Sequence, residues 1–117
     1  MEFDQPKAIY LQISEQIKER IFDGEWKEGE RIPSIREMAV NLGVNPNTIT
    51  RSYQRLMDLN VIENRRGVGY FVCTGAAEQI LEELKSDFFG EKLPGIIKTM
   101  KKLGISFKDL ENKYFNN

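Results

Sequence analysis

Between Ala8 and about Phe22, Ile9, Ile13, Ile17 and Ile21 recur every four residues, with Glu15, Lys18, Glu19 and Arg20 between them. That spacing predicts an amphipathic helix, and Asp23-Gly24 is placed to end it. The segment from Glu25 to Arg31 reads as a short extended stretch before Pro33, with Trp26 as a packing residue. Ser34 followed by Glu37 is a capping box, in which each side chain satisfies a backbone N–H left unpaired at a helix start. A short helix therefore opens at Ile35, carries Ile35, Met38, Ala39 and Leu42 on one stripe, and stops at Gly43. Only Val44 intervenes before Asn45-Pro46, where asparagine caps and proline fills the first helical position without losing a needed hydrogen bond. A longer helix runs from there to about Leu59. Two helices joined by so short a turn make a helix-turn-helix.

Val61-Ile62-Glu63-Asn64 and Tyr70-Phe71-Val72-Cys73 are β-prone runs on either side of Arg65-Arg66-Gly67-Val68-Gly69, which predicts a hairpin with two arginines at its tip. A basic hairpin directly after a helix-turn-helix is a wing. Beyond Thr74-Gly75 come three helical patterns: Ala77, Ile80, Leu81, Leu84 and Phe88; then Leu93, Ile96, Ile97, Met100 and Leu103; then Phe107, Leu110 and Tyr114. Gly90 and Pro94 punctuate the first two, and Ser106 with Asp109 repeats the capping signal before the third. About forty residues are too few to enclose a core of their own, so these stripes must be buried either on the winged domain of the same chain or on the same helices of a second chain. The expected architecture is mainly α with a small β hairpin. It comprises a winged helix-turn-helix DNA-binding domain over residues 1–74 and a short helical dimerisation region over residues 75–117.

Facing within the second helix of the pair follows from about 100° per residue. Ile49, Tyr53 and Leu56 share the buried side, so Asn47 and Arg51 project opposite, flanked by Thr48, Thr50, Gln54 and Arg55. No acidic residue precedes Asp58 on this helix. Such a face suits a polyanion and its base edges. Charge divided along the chain sharpens this, because the total of −1 conceals an asymmetry. Residues 1–30 carry four basic and eight acidic side chains, residues 31–74 six and three, and residues 75–117 seven and seven. All six basic residues of the middle block are arginine, the side chain that forks onto phosphate and guanine edges: Arg31, Arg36, Arg51, Arg55, Arg65 and Arg66. The wing arginines would reach phosphates or the minor groove.

The remaining composition excludes more than it suggests. At 117 residues, with one cysteine and no histidine, the chain offers no internal disulfide, no zinc site and no histidine-based triad. The carboxylates Glu15, Glu19, Glu82 and Glu83 sit at ordinary helix-surface spacings, and no glycine-rich phosphate loop with a following lysine occurs. The expectation is a non-enzyme without cofactors. No apolar run approaches the roughly 20 residues that span a bilayer, and the start MEFDQPK lacks the regions of a signal peptide, so a cytoplasmic location without membrane contact is expected. The rival reading is a winged-helix protein-interaction module without specific DNA binding, which would expose an apolar patch where this chain has Asn47, Arg51, Arg65 and Arg66.

The stretch GEWKEGERIPSIREMA, Gly24 to Ala39, resembles the GntR family of bacterial transcription regulators in its glycines and its hydrophobic-Pro-Ser-x-Arg-x-hydrophobic-Ala core. LGVNPNTITRSYQRLMDLNVIENRRGVGYFV is similar to that family's recognition helix and wing. The short helical tail is similar to that of the YtrA subfamily, whose C-terminal part serves dimerisation. The resemblance implies a sequence-specific regulator, of repressor type, that binds a palindromic double-stranded DNA operator as a homodimer. It also implies phosphate contacts from Arg36, base or phosphate contacts from Asn45, Asn47 and Thr48, and a groove contact near Gly67 and Gly69. Many members place arginine where this chain has Pro46 and Thr50, whereas its own arginine is Arg51. The dimerisation set is Ile80, Leu84, Phe88, Ile96, Met100 and Leu103. No small-molecule effector can be read from the chain.

Overall fold

A computed structural model describes residues 7–116. The first six residues, on which the reading of the start as leaderless partly rests, lie outside the described residues. Helix α1 spans Ile9–Phe22 and buries Ile13, Ile17 and Ile21. Ile9 is 43% exposed, and Ser14 and Lys18 are buried in its stead. The cause is geometric: a four-residue step advances about 40° beyond a full turn, so a run of such steps drifts around the helix. Ile9 falls off one edge of the buried arc and Lys18 enters at the other. The Lys18 ammonium is compensated by Glu15 Oε1 at 3.4 Å, one turn away.

Strand β1, Arg31–Ile32, follows, then α2 (Ile35–Leu42), α3 (Pro46–Asp58), β2 (Ile62–Arg65) and β3 (Gly69–Val72). The expected hairpin is present, and the stretch before Pro33 joins it as a third strand. The sheet is antiparallel in the order β1-β3-β2, with Arg31 opposite Phe71 and Arg65 opposite Gly69. Val72 donates to Glu30 O at 3.0 Å and Gly29 donates to Val72 O at 2.8 Å, extending the pairing past the two residues of β1.

Both helix starts are capped as expected. Ser34 Oγ accepts from the Glu37 N–H at 3.1 Å while Glu37 Oε1 accepts from the Ser34 N–H at 3.0 Å. Asn45 Oδ1 accepts from the Asn47 N–H at 2.8 Å, and Pro46 occupies the first turn. Between them Gly43 adopts φ +66°, so that Gly43 N–H reaches Val40 O and Val44 N–H reaches Ala39 O, closing α2 in a Schellman arrangement. The backbone then turns directly into α3.

Ile49, Tyr53 and Leu56 of α3 are fully buried. Ser52 is buried too, its hydroxyl donating to Tyr10 O at 2.7 Å on α1, and the Ser14 hydroxyl reaches the same carbonyl at 2.9 Å. Small hydroxylated residues thus let α1 and α3 approach closely with no polar group left unpaired. The Tyr53 hydroxyl donates to Pro33 O at 2.5 Å and its ring meets Tyr70 edge-on at 4.9 Å. Burial pushes that phenol well above its ordinary pKa. Trp26 packs partly buried against the core, with the Arg20 guanidinium over its ring.

The chain divides into two compact units between Leu81 and Glu82, seven residues beyond the break expected at 74/75. Helix α4, Ala76–Asp87, begins inside the first unit, where Ala76 and Ile80 belong to the buried core. Its first turns are fastened there by Gly75 N–H to Glu28 Oε1 at 2.8 Å and Gln79 Nε2 to Leu59 O at 2.7 Å. The second unit holds a π-helical segment, Phe88–Lys92, then α5 (Leu93–Leu103), α6 (Phe107–Leu110) and a second π-helical segment, Glu111–Phe115. Gly90 and Pro94 punctuate as expected, at the passage from α4 to α5, but right-handed helical torsions continue through Leu93, whose N–H reaches Phe88 O. Pro94, which has no N–H to give, sits in the first turn of α5. Ser106 and Asp109 form the second capping box, with bonds of 3.1 and 2.8 Å.

Candidate nucleic-acid interface

The surface singled out by sequence lies on α2, α3 and the β2–β3 hairpin. Asn45, Asn47, Thr50, Arg51 and Arg55 are exposed and Thr48 is half-buried. The helix dictates this: residues opposite Ile49 and Leu56 must face away from the core. Their donors and acceptors are not all free. Asn45 spends its carbonyl oxygen on the cap and Thr50 Oγ1 donates to Pro46 O at 3.1 Å, leaving the Asn45 amide nitrogen and the Asn47 side chain as open groups at the helix start. The N–H groups of this helix start are already engaged, Asn47's by Asn45 Oδ1 and Thr48's by Asn45 O at 2.9 Å, while Pro46 has none, so the side chains carry its binding capacity.

Arg36 stands exposed in the first turn of α2, Arg55 on α3 and Arg66 at the hairpin turn. No acidic side chain among the described residues forms an ion pair with these three. Arg65 differs from the expectation of a free tip residue. It lies within β2, bonds Glu63 Oε1 at 3.2 Å, and stacks over Phe71 with 4.1 Å from guanidinium carbon to ring centroid. Its charge is partly answered within the hairpin, and Arg66 is left as the turn's unpaired cation.

Gly67 and Gly69 have φ of +77° and +145°, both in the region that glycine tolerates. Open space surrounds the missing Cβ of Gly67. At Gly69 a Cβ would stand 2.8 Å from Arg31 Nε, so the bare backbone admits the Arg31 side chain across the root of the wing. Arg31, one of the six arginines of the middle block, takes its seat from the pairing of β1 with β3.

The tail positions separate. Ile80 is 2% exposed within the first unit's core and is therefore not available to a partner. Leu84, Phe88, Ile96 and Leu103 are exposed, Met100 is half-buried, and no residue of the second unit is buried among those described. Leu93, Ile97, Met100, Ile105, Phe107 and Leu110 line an apolar groove of about 410 Å³ in this unit. Cys73 is half-buried, and burial, with the nearby Glu63 carboxylate, raises its thiol pKa. No helix among the described residues is long and apolar enough to cross a membrane.

Residues 9–72 match the model of the family described as bacterial regulatory proteins, gntR family. The uncharacterised HTH-type transcriptional regulator YhcF of Bacillus subtilis (strain 168) is 42% identical over 109 residues, covering 93% of this chain and 88% of its own. The HTH-type transcriptional repressor YtrA of the same organism is 33% identical, covering 87% and 78%. Among solved structures, a chain assigned to the GntR family of transcriptional regulators from Bacteroides thetaiotaomicron superposes with a TM-score of 0.77 at 42% identity. It covers 92% of this chain and 94% of its own.

Proposed function

Because the chain belongs to the GntR family, as a DNA-binding transcription regulator of YtrA-like form, we propose that it acts as a repressor on a palindromic operator, bound as a homodimer. The observation that carries the reading is the outer face of α3. A capped helix start presents Asn47, Thr50 and Arg51 without an acidic neighbour before Asp58, and Arg36 and Arg66 stand exposed on the adjoining elements. In this reading Asn45, Asn47 and Thr48 meet base edges or the adjoining phosphates, and Thr50, Arg51 and Arg55 support them along the helix. Arg36, Arg65 and Arg66 hold the backbone, with Gly67 and Gly69 allowing close approach at the groove. Repression follows from occupancy of a promoter site and requires no catalytic group, so the protein works as a non-enzyme without a cofactor, in the cytoplasm.

The apolar second unit supports the dimer. Leu84, Phe88, Ile96 and Leu103 are exposed and Met100 is only half-buried, and a two-fold partner would supply matching surface. Two recognition helices would then lie about 34–36 Å apart, one DNA turn, or a multiple of it, which is why the operator should be an inverted repeat. Fluorescence anisotropy tests the regulator reading, using a duplex selected by the protein from a random-sequence library and a scrambled duplex of the same length. Preferential binding of the selected duplex, with an inverted repeat in its sequence, is expected. Equal affinity for the two would refute sequence-specific recognition.

A further inference from the structure

Arg51 does not extend straight outward from α3. Its guanidinium carbon lies 4.0 Å from the centroid of the Tyr10 ring, on α1. The Tyr10 backbone is anchored, since its carbonyl accepts from the buried hydroxyls of Ser14 and Ser52. The ring and the arginine form one side of a notch of about 290 Å³ that is also lined by Gln54, Arg55, Asp58 and Leu59. Asp58, the one carboxylate in that lining, accepts from Gln54 Nε2 at 2.9 Å and forms an ion pair with neither arginine.

A guanidinium stacked on an aromatic ring uses its flat face, and its N–H edge remains free to donate in the plane. Arg51 is thereby held towards α1, with its donors in the lining of the notch it shares with Arg55. Two cations around an open notch, one already oriented, match a singly charged phosphodiester better than a neutral base edge. We propose that this notch is a backbone-phosphate clamp, in which Arg51, held by the Tyr10 ring, grips one phosphate of the duplex and Tyr10 acts as its positioning residue. The proposal rests on the DNA-binding reading above and assigns to Arg51 a task that reading leaves open.

The test uses the full chain and the selected and scrambled duplexes, with anisotropy titrations at several salt concentrations. Arg51→Ala should weaken both duplexes by the same factor and lower the log–log salt slope by about one, as loss of a phosphate contact does. Tyr10→Leu should weaken both by roughly 3- to 10-fold. Tyr10→Phe, which keeps the ring, should bind as wild type. In an Arg51→Ala background Tyr10→Leu should cost nothing further, because the tyrosine acts through the arginine. A loss confined to the selected duplex on Arg51→Ala would make Arg51 a base reader and overturn the clamp. An undiminished effect of Tyr10→Leu in the Arg51→Ala background would overturn the positioning role. If wild type separates the duplexes while Arg51→Ala matches it on both, the clamp alone falls. If wild type binds neither duplex, the regulator reading falls and the clamp with it.

Discussion

A single hydroxyl illustrates how closely the helix pair depends on individual groups. Tyr53 is fully buried, and its O–H is donated to Pro33 O just before α2. Tyr53→Phe keeps the ring against Tyr70 and removes that donor, so the expected loss is about 1–2 kcal/mol in urea unfolding, with an unchanged denaturant slope. Arg36 presents the opposite case. It is exposed and outside any ion pair among the described residues, so Arg36→Ala should alter stability by less than about 0.5 kcal/mol. Its DNA affinity should fall evenly across sequences. Early thermal melting of Arg36→Ala would instead identify Arg36 as part of the fold's support and remove it from the interface.

Helix α2 is held at its start by a reciprocal cap, and that cap is sensitive to acid. The Ser34 backbone N–H, then the Ser34 hydroxyl, hold the Glu37 carboxyl below its ordinary pKa of 4.5, and the Arg31 charge adds to this. A pKa depressed by folding means stability that is complete above the ordinary value and is lost as pH falls through the depressed one. Acidification below about pH 4.5 should therefore weaken the start of α2, and Glu37→Gln should remove this part of the acid dependence in melts recorded from pH 6 downward. Ser34→Ala should cost roughly 0.5–2 kcal/mol at neutral pH, since the Glu37 N–H loses its acceptor. Caps of this kind were legible in the sequence because both partners lie within four residues. The buried arc of α3 was legible for the same reason, one helix supplying all of its members. What escaped sequence reasoning depends on distant partners: two-residue β1, which exists only against β3; the hydroxyls of Ser14 and Ser52 gathered on Tyr10 O; the stacking of Arg51 on Tyr10 and of Arg65 on Phe71. Gly90 and Pro94 do mark the passage between two helices, Gly90 within the π-helical turn and Pro94 in the first turn of α5, but nothing local in the sequence announces that the helical torsions run on between them.

For the whole molecule, the core's last members decide where it can be cut. Every residue of the buried cluster lies at or before Ile80, so a chain ending at Leu81 retains the first unit's entire core. One ending at Gly75 lacks Ala76 and Ile80, and an isoleucine lost from a core costs about 2–5 kcal/mol. The shorter chain should melt well below the longer one in calorimetry. Both should lack the tight operator binding that linked half-sites give, because each lacks the apolar second unit. Light scattering on the intact protein measures the dimer directly, and a monomer at micromolar concentration, with and without the selected duplex, would rule it out.

The sheet adds a constraint of another kind. Its outer strands are β1 and β2, two and four residues long, and β2 bears Glu63 and Arg65 in a mutual ion pair. Short, charged margins offer a poor template for strand addition, which protects a β structure from stacking into fibrils. At high protein concentration these margins disfavour annealing of one wing to another. Replacing Glu63 and Arg65 together by valine should forfeit that colloidal safety and appear as turbidity that grows with protein concentration.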